Sequence, residues 1–114
     1  MHHYYVYIVT NQNKSVLYTG VTNYFEQRLV EHYLNTLSQK GFTGKYKVCY
    51  LLYYEEHPYI DQAIRREKEI KGWNRAKKCA LINTINPEWK FLNNEIFDHW
   101  PPKDIFHRGE DKDL

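Results

Sequence analysis

Cysteine is nearly missing from this chain. Cys49 and Cys79 are its two, with no CxxC spacing and no histidine nearby to complete a metal set. That argues against a zinc site and requires no disulfide, which leaves two buried thiols. Long apolar runs are missing as well: none approaches the roughly 20 residues of a membrane helix, so no membrane partner is expected. Repeats and low-complexity segments are absent, and 114 residues suffice for one domain with its own core. Met1-His2-His3 passes directly into a strand pattern, from which we expect no signal peptide and a cytoplasmic protein. Net charge is small, +2 from 16 Lys/Arg and 14 Asp/Glu. Its distribution is uneven: residues 1–94 carry +5 and residues 95–114 carry −3. A modestly basic body with an acidic end is compatible with a polyanion partner without requiring one.

Aromatic residues are plentiful, with 11 Tyr, 5 Phe and 3 Trp. Residues 4–10 and 16–22 are β-branched and aromatic runs, and Asn11-Gln12-Asn13-Lys14-Ser15 between them is turn material. A turn centred on Gln12-Asn13 sets Tyr7 opposite Tyr18, Val9 opposite Val16 and Tyr5 opposite Gly20, all on one face. Val6, Ile8, Leu17, Thr19 and Val21 take the other face, which reads as the core side. A third aromatic strand follows at residues 48–54, ended by Glu55 and Glu56. Such strands reflect packing or a base-stacking platform.

Asn23 with Glu26 three positions on predicts a capped helix over residues 24–37. Its apolar stripe is Phe25, Leu29, Tyr33 and Leu37, and Arg28 and His32, four apart, lie along one border. Residues 38–47, with Gly41, Gly44 and the lysines Lys40, Lys45 and Lys47, read as a basic loop, either a solvated connection or a contact for backbone phosphates. His57-Pro58 starts a second helix, proline suiting the first helical position. On its apolar side lie Ile60, Ala63, Ile64 and Ile70, with Glu67 in their midst. A carboxylate there is costly to bury unless a cation, a metal, a proton or several hydrogen bonds neutralise it. Lys71, one turn on, is one such partner, and a functional role is the other reading. Gly72 ends this helix. Asn74 caps a third over residues 75–84, with Ala76, Cys79, Ala80 and Asn83 inward.

Taken in order, these segments resemble the GIY-YIG nuclease superfamily, in particular its small stand-alone bacterial proteins and the nuclease domain of the excision-repair endonuclease subunit. Tyr5-Val6-Tyr7 stands at the first triplet and Tyr18-Thr19-Gly20 at the second. Arg28 and His32 match the pair on the first helix, Ala63-Ile64-Arg65-Arg66-Glu67 the segment with the metal-binding glutamate, and residues 81–89 the closing segment. Four positions depart from the pattern: Tyr5 replaces a glycine, Thr19 an isoleucine, Val21 a lysine common after the second triplet, and Lys90 a common asparagine.

The resemblance implies an α+β fold, a small single domain with a three-stranded antiparallel sheet flanked by helices. It also implies a metal-dependent DNA endonuclease that hydrolyses phosphodiester bonds, structure-selective or of low sequence specificity, in DNA repair or processing. A non-catalytic nucleic-acid-binding module on the same fold is the alternative. One divalent ion, Mg²⁺ or Mn²⁺, would be held by Glu67. Tyr7 would serve as general base or orient the attacking water, with Tyr18 in support, Arg28 on the scissile phosphate and His32 assisting. Tyrosine's pKa of about 10 is high for a base at neutral pH, so Tyr7 needs positive charge nearby. DNA would be the partner of a monomer or weak dimer, met by Lys40, Lys45, Lys47, Arg65 and Lys71. We expect residues 1–93 to form the nuclease-like domain and residues 94–114 an acidic C-terminal tail that docks loosely.

Overall fold

A computed structural model describes residues 3–102. Its elements are β1 (Tyr4–Thr10), β2 (Leu17–Thr22), α1 (Phe25–Ser38), α2 (Gly41–Lys45), β3 (Tyr50–His57), α3 (Ile60–Lys71), α4 (Arg75–Ile85) and α5 (Asn93–Ile96). The strands form one antiparallel sheet in the order β2-β1-β3. The expected α+β class, with a three-stranded antiparallel sheet flanked by helices, is therefore what the chain adopts.

The hairpin register differs from expectation by two residues. Tyr7 pairs with Gly20, Val9 with Tyr18 and Tyr5 with Thr22. Because the slip is even, each side chain keeps its face, and Tyr7 and Tyr18 remain on one side as diagonal neighbours. The turn chemistry moves the register. Asn11 Oδ1 accepts from the backbone N–H of both Ser15 and Val16, closing a longer loop than a turn centred on Gln12-Asn13 would.

Both faces of the central strand are buried, where a single core side was expected. Val6 and Ile8 pack with Leu52, Tyr53, Ala63, Ile70 and Ile82 beneath α3 and α4. Tyr7 and Val9 pack on the opposite face with Phe25 and Leu29 of α1, Val48, Leu51 and Leu92. A bulge between Ile8 and Val9 lets the consecutive Leu52 and Tyr53 serve the same face.

Several boundaries shift for identifiable reasons. Glu55 and Glu56 continue β3 instead of ending it: Arg66 Nε reaches both Glu55 carboxylate oxygens, at 3.2 and 3.1 Å, and Tyr53 Oη donates to Oε1 at 2.6 Å. Pro58 lies ahead of α3, whose N-cap is Tyr59. Asn23 does not cap α1; Thr22 Oγ1 accepts from Tyr24 N just before the helix. Asn74 does cap α4, accepting from Lys77 N at 2.9 Å. That helix buries Ile82, while Ala76, Ala80 and Asn83 are exposed, since its short contact with the sheet selects the bulkier residue. On α1 the inward line runs Phe25, Leu29, His32, and Leu37 is exposed. On α3, Ala63 and Ile70 are buried and Ile60 and Ile64 exposed.

The basic loop at 38–47 is in fact built around α2. Thr43 and Gly44 are buried in it, and Gly44 passes so close to the Asn35 carbonyl of α1 that a Cβ would overlap the oxygen.

Two carboxamides finish the outer edge of β3. Asn93 accepts from Leu51 N at 2.8 Å and donates to the Cys49 carbonyl at 3.1 Å. Asn86 donates to the Leu52 carbonyl at 3.0 Å and holds the Lys90 backbone from both sides. The segment expected to begin a loose tail is ordered at its start: α5 spans position 94, and Ile96, Phe97 and Trp100 pack against the Tyr7 face of the sheet. Residues 103–114 lie outside the described residues. No helix among the described residues is long and apolar enough to cross a membrane.

Candidate active site

The site begins with the place of Tyr7 on β1. Its ring lies over Gly20 of the neighbouring strand, beside Phe25 at 5.6 Å between ring centres. Only a residue without a Cβ leaves that space on β2. Tyr7 is 1% exposed, and its hydroxyl meets His32 Nε2 at 2.7 Å. His32 in turn places Nδ1 3.2 Å from Thr43 Oγ1 of α2. The border position expected for His32 is thus an interior one, because α2 closes over that side of α1.

Burial sets the protonation of this pair. Desolvation, aided by the nearby Arg28 cation, lowers the His32 pKa to about 4, so the imidazole is neutral at pH 7. Desolvation also raises the Tyr7 phenol well above its ordinary value, with Arg28 opposing the rise. Both groups are uncharged. In the arrangement that satisfies both ring nitrogens, the Tyr7 O–H donates to Nε2 and the Nδ1–H donates to Thr43 Oγ1.

Tyr18 meets His32 edge-on at 5.7 Å, so both tyrosines share one imidazole. Arg28 stands at the rim, 38% exposed, with one guanidinium nitrogen 2.8 Å from Glu31 and the Tyr7 hydroxyl as a second hydrogen-bonding neighbour. Glu67 reaches the region from α3. Its side chain is 14% exposed and lies 3.4 Å from the Lys71 ammonium, which is itself 5.9 Å from the Tyr18 ring centre. Contacts therefore run from Tyr7 through His32, Tyr18 and Lys71 to Glu67, with Arg28 beside Tyr7.

The residues expected to meet DNA divide. Lys40, Lys45 and Lys47 cluster at α2, with the Lys45 ammonium 5.5 Å from the Tyr46 ring centre. Arg65 is exposed on α3, near Asp61 at 3.9 Å. Lys71 is the partner of Glu67 and stands apart from the α2 lysines in role. Sequence reasoning missed Thr43, which holds the far nitrogen of His32. The signal was present as a threonine between two closely spaced glycines, read there as loop.

Among the described residues no group of three or more His, Cys, Asp or Glu side chains is assembled for a metal. A lone, partly accessible carboxylate nevertheless fits Mg²⁺, which takes one or two carboxylates and fills its remaining positions with water and phosphate oxygens. Glu67 is a carboxylate of that kind, and its side chain is paired with Lys71.

The family model described as the GIY-YIG catalytic domain matches residues 3–80. A UPF0213 protein of Staphylococcus saprophyticus is 35% identical over 83 residues, covering 73% of this chain and 98% of its own. A UPF0213 protein of Syntrophus aciditrophicus is 37% identical over 84 residues, covering 74% and 93%. Among solved structures, the solution NMR structure of a UPF0213 protein from Bacillus halodurans is similar, with a TM-score of 0.50, 26% identity, and coverage of 81% of this chain and 95% of that one. With both triplets, the first-helix pair and the glutamate of α3 inside the matched span, the chain belongs to the GIY-YIG family of nuclease domains, as one of its small proteins.

Proposed function

We propose that this protein is a divalent-metal-dependent DNA endonuclease. One observation carries the reading: the 2.7 Å bond between the Tyr7 hydroxyl and His32 Nε2, held in a buried setting where neither group is charged. A buried tyrosine with its phenol pushed upward is a poor place for a resting proton vacancy. Paired with a neutral imidazole, it can pass a proton on instead. As a water attacks phosphorus, Tyr7 takes the water's proton on its oxygen while its own proton moves to His32 Nε2. The new P–O bond forms, one ester P–O bond breaks, the leaving oxygen takes up a proton from solvent, and His32 afterwards returns its proton to solvent. No free phenolate is needed.

Arg28 is suited to bind the scissile phosphate and to oppose the negative charge that develops there, a contribution of roughly 3 kcal/mol for a well-placed donor. Glu67 would hold Mg²⁺ or Mn²⁺, and the ion, when bound, supplies Lewis-acid polarisation of a phosphoryl oxygen. Thr43 keeps His32 in the tautomer that leaves Nε2 free to accept. Lys40, Lys45 and Lys47 are suited to backbone phosphates beside the site, and Arg65 to a more distant one.

Cleavage of plasmid and branched DNA with Mg²⁺ or Mn²⁺ tests the reading. Tyr7→Phe and Glu67→Ala should each lower the rate by about a hundredfold or more. Cutting that persists unchanged in Glu67→Ala would overturn it. The Glu67–Lys71 ion pair favours a second reading, a nucleic-acid-binding module without cleavage, in which the carboxylate is permanently engaged. Binding that falls steeply with salt, with no cutting under any metal, is its signature.

A further inference from the structure

An open cleft lies between the β1–β2 turn and the far part of α1. It encloses about 560 Å³ and is lined by Gln12, Asn13, Tyr33, Tyr46, Lys47 and Tyr50 among others. That volume lies within the range of small-molecule sites, about 300–1,000 Å³. The lining combines tyrosine rings, carboxamides and one lysine. Tyr46 is 43% exposed, and Lys47 is exposed as well.

Two contacts brace the surroundings of the cleft. Arg75 of α4 donates to the carbonyls of Ser15 and Lys14, at 3.1 and 2.8 Å, and ties down the hairpin turn. Tyr50 is stacked on Phe91 at 4.4 Å. Lys47 sits in the left-handed region with φ 56°, a conformation that lysine rarely adopts. Strain of this kind is kept where position matters more than comfort.

We infer that this cleft binds a nucleotide unit, its base against the tyrosine faces and its phosphate against Lys47. The chemistry selects that class. A carbohydrate would use the tyrosines and carboxamides but not Lys47, and an acyl chain would use none of the polar groups. A nucleotide uses all three. The cleft is also joined to the Tyr7 site: Tyr18 stacks with Phe42 at 5.8 Å, and Phe42 meets Tyr46 at 4.7 Å, with Phe42 half exposed. A nucleotide of a bound strand and a free mononucleotide offer the same groups.

Occupancy of this cleft requires no bond cleavage, so it is measured on the full chain in EDTA, where its failure leaves the reading of the Tyr7 site untouched. Adenosine 5′-monophosphate, a short single-stranded oligonucleotide and inorganic phosphate are titrated and followed by NMR. Saturable shifts at Tyr33, Tyr46 and Lys47 are expected, with about tenfold weaker binding in Tyr46→Ala and in Lys47→Gly. Lys47→Gly relieves the backbone strain, so an unchanged or raised melting temperature separates lost binding from lost folding. Tighter binding of the oligonucleotide assigns the cleft to a nucleotide within a strand, and equal binding assigns it to a free nucleotide; both uphold the site. No saturable shift, unaltered binding in both variants, or phosphate binding as tight as the mononucleotide would overturn it.

Discussion

The ring of Tyr7 fills the space that a side chain on Gly20 would require. A Cβ at Gly20 would lie 2.5 Å from Tyr7 Cζ and 2.9 Å from Cε1, so one of the two must move. The tyrosine is buried and held by His32, which leaves it little freedom. Gly20→Ala is therefore expected to cost about 1–3 kcal/mol of stability and to displace the hydroxyl from His32. Urea unfolding together with cleavage rates would show both losses. A variant as stable and active as the wild type would mean that the ring has room to spare.

Acid should unfold the protein partly through His32. Its folded pKa, about 4, lies below the ordinary 6.5 because burial disfavours the imidazolium. The unfolded chain therefore binds the proton first. This contribution to stability is fully present above pH 6.5 and is lost as pH falls from there to about 4, amounting to on the order of 3 kcal/mol. Glu55, whose carboxyl is held below its ordinary range by Tyr53, His57 and Arg66 against the cost of burial, also weakens the fold in acid. Comparing unfolding across pH for the wild type and His32→Gln isolates the histidine, and the variant should show the shallower slope between pH 4 and 6.5.

Thr19 is the one buried side chain among the described residues whose polar atom has no hydrogen-bond partner. It sits on β2 at 4% exposure, on the same face as Leu17 and Val21. Thr19→Val keeps the shape and removes the desolvated hydroxyl, which should raise stability by about 1 kcal/mol. Thermal denaturation is the measurement. A lower midpoint would reveal that the hydroxyl does have a partner in solution.

If Glu67 holds the metal as proposed, Lys71 and the ion would compete for the same carboxylate. The ammonium is half exposed, so its ion pair contributes little to stability, within about 0.5 kcal/mol. Its removal in Lys71→Gln should lower the Mg²⁺ or Mn²⁺ concentration that gives half-maximal binding, as read by calorimetry. Unchanged metal binding would show that Glu67 is not the ligand.

Alternating aromatic and β-branched residues made the strands and their faces legible, because period-two patterning survives an even slip in register. The slip itself was hidden. It depends on Asn11 capping two successive backbone N–H groups, a choice that propensity does not reveal. Tyr7, Tyr18, Arg28, His32 and Glu67 could be named as a candidate set through the family resemblance, whereas their environments could not. His32 became interior because α2 covers it, and α2 was unreadable because Gly41 and Gly44 look like breakers when Gly44 is there for close packing against α1. Glu67 stood out as a carboxylate in an apolar line, yet Ile60 and Ile64 of that line are exposed and Ala63 and Ile70 buried, since α3 touches the sheet along a narrower strip than its composition suggests.

Asn86 and Asn93 give the sheet its asymmetry. A strand at the end of a sheet normally presents a row of free N–H and C=O groups, a template on which another chain can add itself. On β3 the carboxamides of Asn86 and Asn93, with the Leu92 N–H at 2.7 Å from the Leu51 carbonyl, already occupy that row at Cys49, Leu51 and Leu52. Side chains here take the role of a fourth strand. The sheet is thereby closed to growth along this stretch, and a sequence rich in tyrosine is kept from polymerising through the strand that would otherwise invite it.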